Sequence, residues 1–328
     1  MARVAVPLQL SREATRPRDG RLVRCAGATM GVGWTAQAVI PDGVGEAQIR
    51  TAVQAAVDEV VAQMSDWEPD SDLSRFNAAA PGWVDVPEGL LTVVRAGLEL
   101  SEATGGAFDP TLGRLVGLWG FGPAGRVEAP PAEAALALAP AGWRSLELDE
   151  PRGRIRQPGG LSLDLSGIAK GYGVDRAGRA IEALGVCDWL VEIGGELRGA
   201  GVKPSGEPWF VEIEAPPGAA FEPLLIALHG LAVATSGEWR RSFEHQGRRY
   251  GHTLDPATRR PLAHGVEQVT VLHEACMQAD ALCTSLAVLG PEGGPAFAEA
   301  AGLAVRFVIR DGDGMREVFS PAFAAMLD

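Results

Sequence analysis

The sequence predicts an α+β fold, with antiparallel or mixed sheets and packed helices in a single composite domain. Two amphipathic helical segments lie in the first third of the chain, and short strands dominate after residue 143. The strands are joined in some places by hairpin-like turns and in others by helices, which favours α+β over a regular βαβ repeat. Of the 328 residues, 46% are hydrophobic, enough for a sizeable core.

The first helix is predicted over Glu46–Met64, where apolar residues recur at helical spacing. The second is predicted over Glu88–Ala103 and ends at the Thr104-Gly105-Gly106 stretch, which is typical of a C-terminal cap. Arg126–Ala141 is rich in Ala and Pro and predicts a short helix between loops. Later helices are predicted near Ile168–Leu184, Gln278–Leu289 and Pro295–Ala301.

Strands are predicted where five to nine residues alternate or run apolar between Gly and Pro. These segments are WRSLELD, DWLVEIG, PWFVEIEA, LLIALHGLAVAT, EQVTVLH and AVRFVIRD. Residues 1–20 are charged, contain Pro and lack periodicity, so we expect a flexible N-terminal tail before a domain over residues 21–328.

The composition limits the classes of partner and the cellular compartment that we expect for the protein. A net charge of -13 argues against nucleic acid, because binding phosphate backbones needs a basic surface. The sequence shows neither a secretory h-region nor an apolar stretch for a membrane span, so we expect a cytoplasmic protein, unless a trimmed N-terminus hides a signal. The four cysteines have no metal-binding spacing, and we expect all four to be buried and reduced.

The segment QADALCTSLAVLG carries an acid and a hydroxyl in an otherwise small and apolar run. Asp280 and Thr284 are four residues apart and therefore share one face of a helix. The pair indicates either a buried Asp–Thr hydrogen bond or two oxygen ligands aimed at one cation.

The segment LSLDLSGIAKGYGVD begins as a strand and continues as a helix, with Ser166 as the expected N-cap. Lys170 would lie in the first helical turn, where a cation opposes the helix dipole unless an anion such as a phosphate binds there. The alternative is a glycine-rich turn with a solvated lysine.

Aromatic residues and one histidine complete the candidates. In the long loop Thr104–Gly122, Phe108 could form an apolar wall for a planar ligand and Asp109 could accept from its polar edge, whereas Trp119 is expected in the core. Trp67 is either a core anchor or a stacking surface, and the sequence favours the core. His252 is one of five histidines, and beside a phosphate and a hydroxyl acceptor it could serve as a general base.

In their order along the chain, these segments resemble the FAD:protein FMN transferase (ApbE-like) family. The resemblance covers nearly the whole chain and would make the fold T-fold-like. It rests on the blocks ATMG, SDLSRFN, GGAFDPTLG…LWGFG, LDLSGIAKGYGVD, VEIGGEL and SGEWRR…HTLDP…ADALCT.

The resemblance implies a Mg²⁺-dependent reaction in which a Thr or Ser hydroxyl of an acceptor flavoprotein attacks the FMN-side phosphorus of FAD. FMN is transferred and AMP leaves. By the same resemblance, Asp280, Thr284 and the Gly167 carbonyl bind the metal, Lys170 lies at the phosphates and His252 is the base, with Asp255 as an alternative. The FAD contacts it implies are Met30, Trp67, Ala107, Phe108, Asp109, Asp164, Lys170 and Thr253.

Two departures from the family pattern bear on these expectations. Val32 follows Met30-Gly31 where the family has Thr, and Arg259 replaces a turn glycine, which should alter the loop near His252. Two alternative hypotheses for the function remain. The protein could be an FAD pyrophosphatase that forms FMN and AMP, or a non-catalytic FAD-binding protein.

Overall fold

The computed structural model describes residues 2–8, 15–237, 239 and 241–327. Glu238 and Arg240 of the SGEWRR block, and positions 9–14 of the predicted tail, lie outside the described residues. Within them, no helix is both long and apolar enough to cross a membrane.

Within the described parts of the chain, most of the helices lie in the first 182 residues, and ten strands follow one another between Glu182 and Cys276. The α-helices are α1 (Glu46–Met64), α2 (Asp72–Ala78), α3 (Glu88–Ala103), α4 (Gly113–Leu118), α5 (Glu133–Leu138), α6 (Ala169–Glu182), α7 (Cys276–Ala300) and α8 (Pro321–Ala324). The strands are β1 (Arg3–Ala5), β2 (Arg21–Thr29), β3 (Val32–Ile40), β4 (Gly82–Asp85), β5 (Glu147–Asp149), β6 (Arg154–Gln157), β7 (Trp189–Ile193), β8 (Glu196–Ala200), β9 (Trp209–Ile213), β10 (Leu224–Leu228), β11 (Leu231–Gly237), β12 (Ser242–His245), β13 (Arg248–Gly251), β14 (Leu254–Asp255), β15 (Arg260–Pro261), β16 (Val266–His273), β17 (Ala304–Asp311) and β18 (Gly314–Phe319).

The core of the fold is an eight-stranded antiparallel sheet in the order β18-β17-β16-β11-β8-β7-β3-β2. Helices α1, α6 and α7 cover one face, where the fully buried Trp34 and Trp189 lie in the core. The other face packs against a small sheet, β1-β10-β9, and against α8. A third sheet, β4-β6-β5, packs with α2 and α3 in a separate cluster that includes Phe76 and Ile155.

One buried carboxylate ties α6 to α7. Asp175, on α6, accepts backbone N–H bonds from Cys276 and Met277, both at 3.0 Å, at the start of α7. Arg198 of β8 donates a further bond to it at 2.7 Å. Asp175 thus occupies the place of an N-capping group for α7 and fixes the two helices relative to the sheet.

The mixed α+β fold is confirmed, and several predicted elements match the structure closely. Helices α1 and α3 have the predicted bounds, and the prediction of two C-terminal helices corresponds to α7, which is interrupted at Gly290 (φ 81°) before Pro291. Trp119 lies in the core, as predicted.

Other predictions were wrong, each for a local physical reason. The apolar run LLIALHGLAVAT is two strands in different sheets, because the chain turns at Gly230 (φ 69°). Ser166 does not cap α6, because the helix begins at Ala169. The Ser166 N–H donates instead to the Asp164 carboxylate. Cys187 is exposed, while the other three cysteines are buried. Residues 3–5, assigned to the flexible tail, form β1 paired with β10.

Replacing Asp175 by Asn should lower the free energy of unfolding by about 2–3 kcal/mol, because one acceptor becomes a donor facing N–H groups and Arg198 loses its anion. Urea unfolding followed by far-UV circular dichroism would measure the shift. The matched control is Asp149→Asn, at a partly exposed carboxylate that pairs with Arg152 and Arg154 but, among the described residues, bonds to no helix terminus, and it should shift the midpoint much less. Equal midpoints for the two variants would contradict the capping role of Asp175.

Candidate active site

The start of α6 and the N-terminal third of α7 meet where glycines allow close approach. A Cβ on Gly171 would lie 2.3 Å from the carbonyl oxygen of Cys276, so no larger residue fits there. The Gly171 N–H donates to Asp280 Oδ2 at 2.9 Å. A Cβ on Gly167 would lie 3.0 Å from Thr284 Oγ1. The acid and the hydroxyl of α7 therefore face the loop that opens α6.

A cavity of about 400 Å³ opens at this meeting point. Nearly all of the residues predicted for the site line it, namely Met30, Ala107, Phe108, Asp109, Asp164, Gly167, Lys170, His252, Thr253, Asp280 and Thr284. Trp67 lies instead in an adjoining cavity of about 590 Å³. The two cavities share Met30, Ser166 and Lys170 in their walls, so they form one continuous concave surface.

Lys170 is paired with a carboxylate. Its Nζ donates to Glu196 Oε1 at 2.5 Å, and the Glu196 side chain is 4% exposed. Burial alone would lower the pKa of Lys170, but the charges of Asp280 and Glu196 together raise it, so the ammonium stays protonated. Burial raises the pKa of the Glu196 carboxyl despite the attraction of Lys170. The solvated-lysine interpretation is wrong, since this cation lies among carboxylates in the cavity wall.

The oxygens at the meeting of α6 and α7 suit a hard divalent cation. They are one carboxylate (Asp280), one hydroxyl (Thr284) and the backbone of Gly167, which the glycine cradle brings against Thr284. The described residues contain no cluster of three or more His, Cys, Asp or Glu that could hold a metal by itself. Mg²⁺ does not need such a cluster, because it commonly keeps waters and binds through one or two carboxylates plus substrate phosphates. The donor set therefore fits Mg²⁺.

The loop after α3 supplies an apolar wall and a structural acid. Phe108 is 4% exposed and packs beside Gly97 and Gly167. Asp109 accepts from the N–H and the hydroxyl of Thr111 at 2.8 and 2.5 Å, and from the Trp143 N–H at 3.2 Å. Burial raises the pKa of Asp109, although these bonds oppose the shift. Both of its oxygens thus hold the loop in shape while the residue lines the cavity.

Met30 and Trp67 line the second cavity of the concave surface and contribute a thioether and an indole ring. Met30 (φ 49°) and Gly31 (φ 70°) make the two-residue turn between β2 and β3, so Met30 is held at the tip of a hairpin. Trp67 is 56% exposed, and the core interpretation is therefore wrong. Asp66 lines the same cavity, and burial together with the nearby Asp164 charge raises the pKa of its carboxyl to about 6.

His252 is held by the loop that follows β13. Its Nδ1 lies 3.3 Å from the carbonyl oxygen of Arg241, and Phe121 packs against the ring edge at 6.3 Å between centroids. A carbonyl only accepts, so Nδ1 carries the proton and Nε2 is left as an acceptor. Burial and the positive charge of Arg241 lower the pKa of His252 to about 4.

Arg259, which departs from the family pattern, takes the left-handed conformation (φ 61°) that favours glycine. Its guanidinium donates to the carbonyls of Leu136, Ala137 and Ala139 at 2.7, 3.2 and 3.0 Å, which caps the C-terminal end of α5. Its own carbonyl accepts from Trp119 Nε1 at 3.0 Å. The side chain thus offsets the strain of the turn and ties α5 to the loop near His252.

Sequence reasoning missed several residues of the cavity wall, and Glu196 is the main one. It follows Gly194 (φ 60°) and Gly195 (φ 104°), the two-residue turn between β7 and β8. A Gly-Gly pair between two strand patterns is a hairpin signal, and it would have placed the acid at the end of a strand. The other lining residues that were not predicted include Thr235, Ser236, Gly237 and Arg241.

The titration of His252 can be read directly by NMR. The ring should titrate with a pKa of about 4 in the folded protein, well below its usual 6.5. Because the unfolded chain binds this proton more readily, the free energy of unfolding should fall as the pH is lowered from 6.5 towards 4. His252→Gln identifies the resonance and should reduce that pH dependence. A pKa of 6 or above would contradict the described environment.

Two substitutions at Arg259 separate its bonds from its backbone strain. Arg259→Gly loses the hydrogen bonds but relieves the left-handed strain, for a net loss of about 1 kcal/mol in the free energy of unfolding. Arg259→Ala loses the bonds and keeps the strain, for about 2–3 kcal/mol. Urea unfolding should rank the wild type above Gly and Gly above Ala, whereas equal values for the two variants would exclude strain at this turn.

The chain resembles known proteins over nearly its whole length. A model described as the ApbE family matches residues 30–307. The chain is 38% identical to the FAD:protein FMN transferase of Vibrio cholerae, over 93% of this chain and 92% of that protein. It is 34% identical to the protein of the same name from Haemophilus influenzae, over 99% and 97%.

Solved structures of such proteins share the fold. The apo form of the Pseudomonas stutzeri flavinyl transferase ApbE superposes with a TM-score of 0.86 at 40% identity, over 93% of this chain and 96% of that one. The flavin transferase ApbE from Vibrio cholerae gives 0.87 at 36% identity, over 94% and 99%. The family match and these near full-length likenesses show that the chain belongs to the ApbE family.

Proposed function

We propose that this protein is an FAD:protein FMN transferase that, with Mg²⁺, moves FMN from FAD onto a Thr or Ser hydroxyl of an acceptor flavoprotein and releases AMP. One observation carries the proposal. A single cavity wall brings together a hard-oxygen pair (Asp280 and Thr284), a charged lysine (Lys170) and a neutral histidine (His252). The names of the relatives support the flavin transfer itself.

Asp280, Thr284 and the Gly167 carbonyl would hold Mg²⁺. When bound, the metal would neutralise negative charge that develops on the phosphoryl oxygens. The Gly171 N–H holds Asp280 Oδ2, so the carboxylate keeps one orientation with its other oxygen available. Because α7 is largely buried, the Asp280 and Thr284 side chains are carried on a rigid element.

Lys170 lies at the start of α6, where its charge and the helix N-terminus would both attract the pyrophosphate of FAD. His252 Nε2 would accept the proton of the acceptor hydroxyl. The hydroxyl oxygen then bonds to the FMN-side phosphorus, the bridging P–O bond to AMP breaks, and AMP carries away the electron pair. The depressed pKa of His252 keeps its imidazole neutral at physiological pH, so Nε2 is able to accept this proton.

The rest of the concave surface would bind the two halves of FAD. Trp67 and Met30 offer an aromatic ring and a polarisable side chain for a planar ring system. Ala107 and Phe108 form the apolar wall of the other cavity, and the remaining FAD contacts proposed are Asp109, Asp164, Lys170 and Thr253. Asp109 and Asp164 already accept backbone N–H bonds, so they would act mainly through the loop shapes that they fix.

Three hypotheses for the activity remain: a transferase, a pyrophosphatase and a non-catalytic FAD-binding protein. Incubating the protein with FAD, Mg²⁺ and a candidate acceptor domain distinguishes them. Mass spectrometry of the acceptor and chromatography of the nucleotides are the measurements. We expect one FMN per acceptor, with AMP in equal amount. FMN and AMP without an adduct would indicate a pyrophosphatase, and FAD that stays intact at every metal concentration would indicate a carrier.

Substitutions on α7 test the metal assignment. Asp280→Ala should reduce the Mg²⁺-dependent rate by at least about 100-fold, and Thr284→Val by about tenfold or more, since each removes an oxygen ligand. Ser285→Ala is the matched control, because the Ser285 hydroxyl donates to the Ala281 carbonyl at 2.8 Å inside the helix and does not line the cavity. Unchanged metal dependence in Asp280→Ala would overturn the assignment.

A further inference from the structure

The Lys170 ammonium is attracted by two carboxylates, Glu196 and Asp280, and bonds to the first of them. It donates to Glu196 Oε1 at 2.5 Å. The charge of Asp280 also acts on Lys170, yet the Asp280 carboxylate is held by the Gly171 N–H rather than by the ammonium. Within the described residues, Lys170 thus forms its ion pair with Glu196 and none with Asp280, although the Lys170 and Asp280 charges still attract each other.

We propose that Glu196 is a positioning residue that holds the Lys170 ammonium away from Asp280 and so keeps Asp280 free to bind a divalent cation. This inference rests on the metal site of the proposed function. A cation enclosed by protein turns to the nearest anion, since an unpaired charge there is costly. Without the Glu196 charge, the nearest anion is Asp280, and the ammonium would compete with the metal for the same oxygen.

The placement of Glu196 suits this task. It is the first residue of β8, whose neighbours in the central sheet are β7 and β11, and it follows the Gly194-Gly195 turn. Its carboxylate is nearly fully buried, and its Oε2 has no hydrogen-bond partner within the described part of the chain. Within the described residues, the Lys170 ammonium is thus the only side-chain donor to this carboxylate.

A double-mutant cycle on Mg²⁺ binding tests the proposal without measuring turnover. Isothermal titration calorimetry with Mg²⁺ alone would compare the wild type, Glu196→Gln, Lys170→Met and the double variant. Glu196→Gln should weaken Mg²⁺ binding about tenfold, the size typical for the loss of an outer-shell partner. Once the ammonium is removed, the same change should alter the affinity by less than about twofold.

The controls distinguish the ways in which the proposal could fail. Glu192→Gln, on the neighbouring β7 and outside the cavity wall, should leave the affinity unchanged. If Glu196→Gln does not fold, Glu196→Asp takes its place in the same cycle, because it keeps the charge but shortens the reach to Lys170.

Undiminished affinity in Glu196→Gln would overturn the inference while leaving the metal site intact. An equal loss with and without Lys170 would also overturn it, because Glu196 would then act on the metal site independently of Lys170. If the wild type itself does not bind Mg²⁺, the proposed metal site fails and this inference fails with it.

Discussion

The close crossing of α6 and α7 is the constraint on which the candidate site depends. Gly171 lies so near the first turn of α7 that any side chain there would collide with the Cys276 carbonyl. The contact turns an N–H of α6 towards Asp280, and it sets Thr284 against Gly167. Asp175 locks the same two helices together from the other side. Backbone proximity, rather than a cluster of acids, creates the oxygen-lined corner.

The charges around this corner form an ordered set. Glu196 and Asp280 both attract Lys170, and all three line a cavity whose wall also contains the apolar Phe108 and Met30. Electrostatic interactions are stronger in such surroundings than at the surface, so the pairing pattern matters more than the total charge. The protein as a whole is acidic, yet the cavity contains a cation (Lys170) and a neutral imidazole (His252) beside the proposed metal position.

Much of the fold could be predicted from periodicity, and the site only in part. Helices α1 and α3 were predicted to the residue, because their apolar stripes are regular and their ends carry clear breakers. Strands β2 and β3 were missed, since their small and polar residues obscure the alternation. Trp67 shows the limit of local reasoning, because its exposure depends on where distant segments leave a cavity.

The pairing of Lys170 with Glu196 also depends on contacts between distant parts of the chain, and it was therefore not predicted. It joins residues on a helix and a strand, and only the order of strands in the sheet brings them together.

That strand order also has a consequence for how the chain acquires its site. Strand β3 pairs with β7, which lies far along the chain, as the Trp34–Ile193 pair shows. Strand β11 likewise pairs with the later β16, where Thr235 lies opposite Thr270. Such distant pairings cost loop-closure entropy and slow folding. Asp280 and Thr284 come from the end of the chain that is synthesised late. A nascent chain that stops before α7 would thus leave the apolar faces of β11 and β16 uncovered. Protection against aggregation and completion of the proposed metal site therefore depend on the same late helix.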